Sequence, residues 1–87
     1  MKSNSAKKQR GYSLDLYKAV YSADPMHIGV QLGRLCIEKN VPVSKVATDM
    51  NVSRLTVYNW FLGKVYPKPD KVQRMTELLA IYTLPSV

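Results

Sequence analysis

Between Val43 and Gly63 the chain reads VSKVATDMNVSRLTVYNWFLG, two helical periodicities with almost no linker between them. Val43, Val46, Ala47 and Met50 follow the i, i+3, i+4, i+7 spacing of one helical face. Asn51 breaks the run, since Asn accepts the left-handed backbone that closes a helix. Ser53 is a good N-cap for a second helix over 53–62, on which Val57, Trp60 and Phe61 share a side, and Gly63 is a good stop. Two helices joined by so short a turn must cross steeply, so their apolar stripes meet and the far side of the second helix is left outward.

That crossing pair is a helix-turn-helix unit, and the flanking sequence predicts further helices around it. In YSLDLYKAVYSA, Ser13 is a possible N-cap, and Leu14, Tyr17, Val20 and Tyr21 are spaced along one face. In ADPMHIGVQLGRLCIEKN, Asp24 can cap and Pro25 suits the first helical position, with Ile28, Leu32, Leu35 and Cys36 as the buried stripe. Gly29 and Gly33 each weaken a helix by about 1 kcal/mol relative to Ala, a cost that close approach of another helix would explain. Asn40 and Pro42 end that helix. KVYPKP reads as a loop, and Asp70 can cap a last helix whose buried side is Val72, Met75, Leu78, Leu79 and Tyr82. Nothing in the chain reads as a sheet.

The 87 residues set one domain, too small for a substrate cleft with its own lid, and 46% hydrophobic with 22% charged residues is globular composition. Only MKSNSAKKQRG departs from it. Poor in core residues and rich in Ser, Lys and Gln, residues 1–11 should form a disordered basic arm, followed by a helix-turn-helix domain over 12–84 and a tail over 85–87. Of the formal net charge of +7, the arm carries +4, residues 12–40 carry 0, residues 41–63 carry +1 and residues 64–87 carry +2. This balance favours a polyanionic partner and salt-dependent binding, although charge alone would equally suit an anionic membrane surface or an acidic protein.

Cys36 alone cannot form an internal disulfide, and with His27 the single histidine there is no four-ligand zinc set. No metal, cofactor or small-molecule substrate is expected. One His, one Cys, no carboxylates paired at helical spacing and no glycine-rich phosphate loop argue against an enzyme. The basic start has no apolar run after it and no later segment reads as a membrane span, so a reducing cytoplasm is the expected compartment.

The stretch from Val43 to Gly63 resembles the lambda-repressor-like, Cro-type helix-turn-helix family of phage and bacterial transcription regulators. The resemblance is carried by Val46-Ala47, an apolar residue and a small Ala, by Asn51 at the turn, and by Val52-Ser53 opening the second helix. It continues with Val57 and Trp60 on the core side, Gly63 with Pro67 four residues on, and Val72, Met75 and Leu79 on the following helix. Covering residues 26–80, it implies an all-α fold, a compact four- to five-helix domain containing the helix-turn-helix, here with a flexible basic N-terminal arm. Two departures from the pattern stand out. Pro42 and Val43 stand where the family commonly has Thr and Gln, which cap the first motif helix and touch a phosphate, and Asn51 replaces the usual turn Gly. Ser44 or Lys45 would then supply the phosphate contact.

A helix fits the major groove, about 12 Å wide, and presents its N-terminal and outward side chains to base edges. With Val57 and Trp60 inward, Arg54, Leu55, Tyr58 and Asn59 are the outward set. Arg54 can donate two hydrogen bonds to O6 and N7 of a guanine, and Asn59 can pair with N6 and N7 of an adenine. Leu55 is either a thymine-methyl contact or a core residue, and Tyr58 either touches DNA or merely covers the helix. Ser53 and Thr56 suit a cap and a phosphate ligand. Lys64, Tyr66 and Lys68 follow in the loop where the family commonly meets the sugar-phosphate backbone, and Lys7, Lys8 and Arg10 of the arm would add contacts of their own. Trp60 is expected in the core rather than as a base-stacking platform.

One such motif covers only about four to six base pairs, so a homodimer on half-sites about 34 Å apart is expected. Ile81, Tyr82 and Leu84 of the last helix are the first candidate surface for it, and the Tyr-rich helix over 13–22 is the second. The reading is a sequence-specific regulator that binds double-stranded DNA, a repressor of phage or bacterial type. Its rival is a helical adaptor or antitoxin-like protein that uses the same fold mainly to bind protein. An outward set of Glu and Leu would favour the rival, whereas Arg, Leu, Tyr and Asn favour DNA.

Overall fold

Ser13, His27, Ser53 and two left-handed asparagines set half of the helix boundaries. The computed structural model describes residues 12–84, which fold into five helices with no strand among the described residues. These are α1 (Leu14–Ser22), α2 (Ile28–Lys39), α3 (Val43–Met50), α4 (Arg54–Phe61) and α5 (Pro69–Thr83). The expectation of an all-α domain of four to five helices holds, with five. The arm over 1–11 and the tail over 85–87 lie outside the described residues.

At the helix starts, the Ser13 hydroxyl accepts from the Leu16 N–H at 3.1 Å and the Ser53 hydroxyl from the Thr56 N–H at 3.2 Å, each satisfying a free backbone donor. At the ends, Asn40 and Asn51 adopt φ of 59° and 58°. This turns the chain so that the next residue bonds back into the helix, Val41 N–H to the Cys36 carbonyl at 2.8 Å and Val52 N–H to the Ala47 carbonyl at 3.0 Å.

Three expectations need correction. The second helix begins at Ile28, not Pro25, because the Asp24 carboxylate is spent on a local turn, accepting from the Met26 N–H at 2.9 Å. His27 takes over the cap, its Nδ1 accepting from the Gly29 N–H at 3.0 Å. The last helix begins at Pro69, which has no N–H to satisfy, so Asp70 lies in the first turn rather than at the cap. In α1, Leu14, Tyr17 and Tyr21 are exposed and of the expected stripe only Val20 is buried. That helix carries two apolar stripes, and the core takes the one running through Leu16 and Val20 because Tyr12 anchors it. The Tyr12 ring stacks on Phe61 at 6.5 Å and its hydroxyl donates to the Val41 carbonyl at 2.7 Å.

The core sits around α2, whose Val30, Leu32 and Cys36 are fully buried. Burial pushes the Cys36 thiol up to about 12, leaving it an apolar packing residue rather than a nucleophile. Against α2 lie Val57, Trp60 and Phe61 of α4, and Met75, Leu78 and Tyr82 of α5, while α3 contributes Val43, Val46, Ala47 and Met50. Both glycines of α2 serve the approach of α4. A Cβ on Gly29 would lie 2.5 Å from the Trp60 carbonyl oxygen, and one on Gly33 would lie 2.8 Å from Cγ of Phe61. From its other side α5 holds the C-terminal end of α3. Lys71 Nζ donates to the Met50 carbonyl at 2.9 Å, Arg74 Nε to the Asp49 carbonyl at 3.3 Å, and the Tyr82 hydroxyl to Asp49 Oδ2 at 2.7 Å. Cations at that end also suit the helix dipole.

Candidate nucleic-acid interface

Once Val57, Trp60 and Phe61 are buried, the 3.6-residue period decides where the rest of α4 must point. Arg54 and Leu55 are exposed, and Tyr58 and Asn59 are half-buried on the same outer side. Leu55, at 68% exposure, is not a core residue, which removes one of its two sequence readings. Tyr58 packs its ring partly against the core and keeps part of its surface exposed.

The N-terminal ends of α3 and α4 open on the same side of the molecule. Ser44, Thr48, Asn51, Ser53 and Arg54 line a shallow groove between them, and Pro42, Ser44, Arg54 and Tyr58 line the adjoining depression. Arg54 and Ser44 belong to both. Thus Arg54, one of the residues expected to read a base, and Ser44, one of the two expected to supply a phosphate contact, face one concave surface. Val43, where the family has Gln, is only 4% exposed and packs in the core, and the Pro42 cap offers no side-chain hydrogen bond. Any phosphate contact at this end therefore falls to Ser44, to Lys45 or to the uncapped start of α3.

The remaining polar candidates differ in how free they are. The Ser53 and Thr56 hydroxyls lie 3.0 Å apart, so these two expected phosphate contacts are paired with each other, and Ser53 is also the cap of α4. Lys45 is exposed but bridges to Asp49 Oδ2 at 3.3 Å. Lys64, Tyr66 and Lys68 are all exposed on the loop after α4, which Pro67 anchors by its burial. Tyr66 also sets its ring edge-on against His27, with centroids 4.9 Å apart. Lys7, Lys8 and Arg10 lie outside the described residues.

No family model, curated protein or solved structure matches this chain.

Two further features bear on chemistry. Among the described residues no cluster of three His, Cys, Asp or Glu is placed to hold a metal ion, and no helix is long and apolar enough to cross a membrane. The residues that sequence reasoning missed are Asp49, Lys71 and Arg74. Their contacts between α3 and α5 gave no signal in the spacing, because these partners are carbonyls and side chains of another helix, 21 to 33 positions away along the chain.

Proposed function

We propose that this chain is a sequence-specific regulator that binds double-stranded DNA, of the lambda-repressor-like, Cro-type kind, with α4 entering the major groove. The observation that carries the reading is the position of Arg54 at the mouth of both depressions, beside Ser44 and Tyr58, on a helix whose opposite side is wholly in the core. A guanidinium exposed there can reach a guanine edge while Ser44, Lys45 and the start of α3 meet the flanking phosphates. Leu55 and Asn59 occupy the middle of the outer side and read neighbouring bases, by methyl contact and by hydrogen bond respectively. Lys64, Tyr66 and Lys68 follow the backbone beyond, and the arm adds charge through Lys7, Lys8 and Arg10. The regulator acts as a homodimeric repressor of phage or bacterial type in the cytoplasm, and performs no catalysis.

Selection of this protein's sites from randomised duplex DNA, followed by sequencing, tests the reading. An enriched, roughly palindromic site is expected, and its absence overturns specific recognition. In the Arg54→Ala variant the site is expected to lose its preference at one position per half-site.

The exposed Leu55 supports a second reading, a helical adaptor whose α4 docks on protein, because an exposed apolar side chain in the centre of a helix face suits either partner. The same selection separates them, since an adaptor retains DNA by charge alone and enriches no sequence.

A further inference from the structure

The loop that joins α4 to α5 has almost no hydrogen bonding of its own. At its ends the Lys64 N–H donates to the Asn59 carbonyl at 2.9 Å, and the Lys68 carbonyl accepts from the Lys71 N–H at 2.9 Å. Among the described residues no hydrogen bond involves Val65, Tyr66 or Pro67 between them. A segment of that kind keeps one course only where its side chains pack. Pro67 is buried and supplies one hold. The other is Tyr66, which is 60% exposed yet sets its ring against His27 with centroids 4.9 Å apart and planes at 62°, the edge-to-face arrangement that aromatic pairs favour.

His27 is itself fixed. Its Nδ1 accepts from the Gly29 N–H at 3.0 Å as the cap of α2, which leaves the ring hydrogen on Nε2. Nε2 is buried and has no partner among the described residues, so that part of the ring serves packing alone. The ring also borders the end of α4. A Cβ on Gly63, whose φ of 72° turns the chain there, would lie 3.9 Å from His27 Cδ2. One ring thus joins the start of the central helix to the root of the loop and to its most exposed aromatic side chain.

We infer that His27 is a positioning residue for the loop over 64–68: its Nδ1 caps α2, and its ring is the seat that Tyr66 rests on, so that Lys64 and Lys68 on either side of Tyr66 are held where they can meet a nucleic-acid backbone. A loop already in place loses little conformational freedom on binding. The inference rests on the proposed DNA reading only for what the loop then does, because the seat itself belongs to the free protein.

Two substitutions separate the roles of the ring. His27→Ser keeps a capping oxygen and removes the seat, whereas His27→Phe keeps a ring and removes the cap. Backbone amide relaxation of the free full chain reads the loop. In His27→Ser the order parameters of Lys64, Val65, Tyr66 and Lys68 should fall from about 0.85 to below about 0.6, with the urea midpoint near that of the parent, and in His27→Phe the midpoint should fall while the loop stays ordered. On DNA, His27→Ser should weaken binding about fivefold on the selected and on an unrelated duplex alike, with the slope of affinity against salt shallower by about one and the selected sequence unchanged. His27→Phe should restore that slope. Tyr66→Ala should reproduce the loss, and adding His27→Ser to it should cost nothing more. A His27→Ser variant whose loop order and salt slope match the parent overturns the inference, as does a His27→Phe variant with a disordered loop, or a double variant whose losses add. Failure of the DNA reading shows separately, as a parent that selects no site, and the relaxation comparison then decides the seat by itself.

Discussion

The two sides of α4 are built by opposite rules. Inward, the helix lies so close to α2 that two positions there have no room for a single methyl group. Outward, Arg54 and Leu55 are exposed, and the described residues give Arg54 no salt bridge. Eight residues thus separate what holds the domain together from what is offered to a partner, and a substitution on one side should leave the other side's measurement untouched.

The largest expected effect comes from Gly29→Ala. Its new Cβ would lie 2.5 Å from the Trp60 carbonyl oxygen and 2.9 Å from the carbonyl carbon, and backbone atoms cannot turn aside as a side chain can. Even after the helix-propensity gain of about 1 kcal/mol, a net loss of about 3 kcal/mol is expected, read as a lower midpoint of urea unfolding. An unchanged midpoint would mean that α4 can slide away from α2, and would end the claim that this contact fixes the site.

Arg54→Ala is the counterpart on the outer side. It should cost about 2 kcal/mol of discrimination between the selected site and a single-base variant, while the unfolding midpoint stays within about 0.5 kcal/mol of the parent. A variant that unfolds early but still discriminates would reverse the assignment of sides.

Gly33→Ala sharpens the inward rule. Its Cβ would meet Cγ and Cβ of Phe61 at 2.8 and 3.0 Å, side-chain atoms rather than the backbone carbonyl that opposes Gly29. A net cost of about 1 kcal/mol is expected in the same unfolding experiment, clearly less than at Gly29. Equal costs would show that the nature of the opposing atom, backbone or side chain, does not govern the contact.

The division within α4 was legible in the sequence because it depends on period and caps alone. Val57, Trp60 and Phe61 could be placed inward, and Asn51 and Ser53 at the turn, from residue type and spacing. The closeness of α2 was legible too, from glycines at positions where a helix would otherwise prefer Ala. Period failed in α1, where two apolar stripes compete and only tertiary contacts of Tyr12 choose between them. It failed also at Asp24 and Asp70, since a carboxylate near a helix start can serve a turn or the dipole as readily as the cap. Leu55 was undecidable from type alone, because a leucine suits a core as well as an exposed contact face.

Asp49 should give the smallest effect and the one that depends on pH. Its carboxylate accepts from the Tyr82 hydroxyl and bridges to Lys45, and these contacts hold its pKa below the usual carboxylate value. A carboxyl with a folded pKa depressed below its unfolded one contributes stability above the unfolded value, and loses it as pH falls through the folded value. Asp49→Asn removes that contribution, so the unfolding midpoint should fall slightly at neutral pH, by less than about 1 kcal/mol for so partly exposed a network. The difference between parent and variant should close on acidification below the ordinary carboxylate range. The same substitution leaves Lys45, next to Ser44 at the start of α3, without its carboxylate partner, so under the proposed function affinity for DNA should rise modestly and its salt dependence should steepen. A gap in stability that persists in acid would instead mean that Tyr82 needs only the shape of the Asp49 side chain, and that the link from α5 to α3 is not electrostatic.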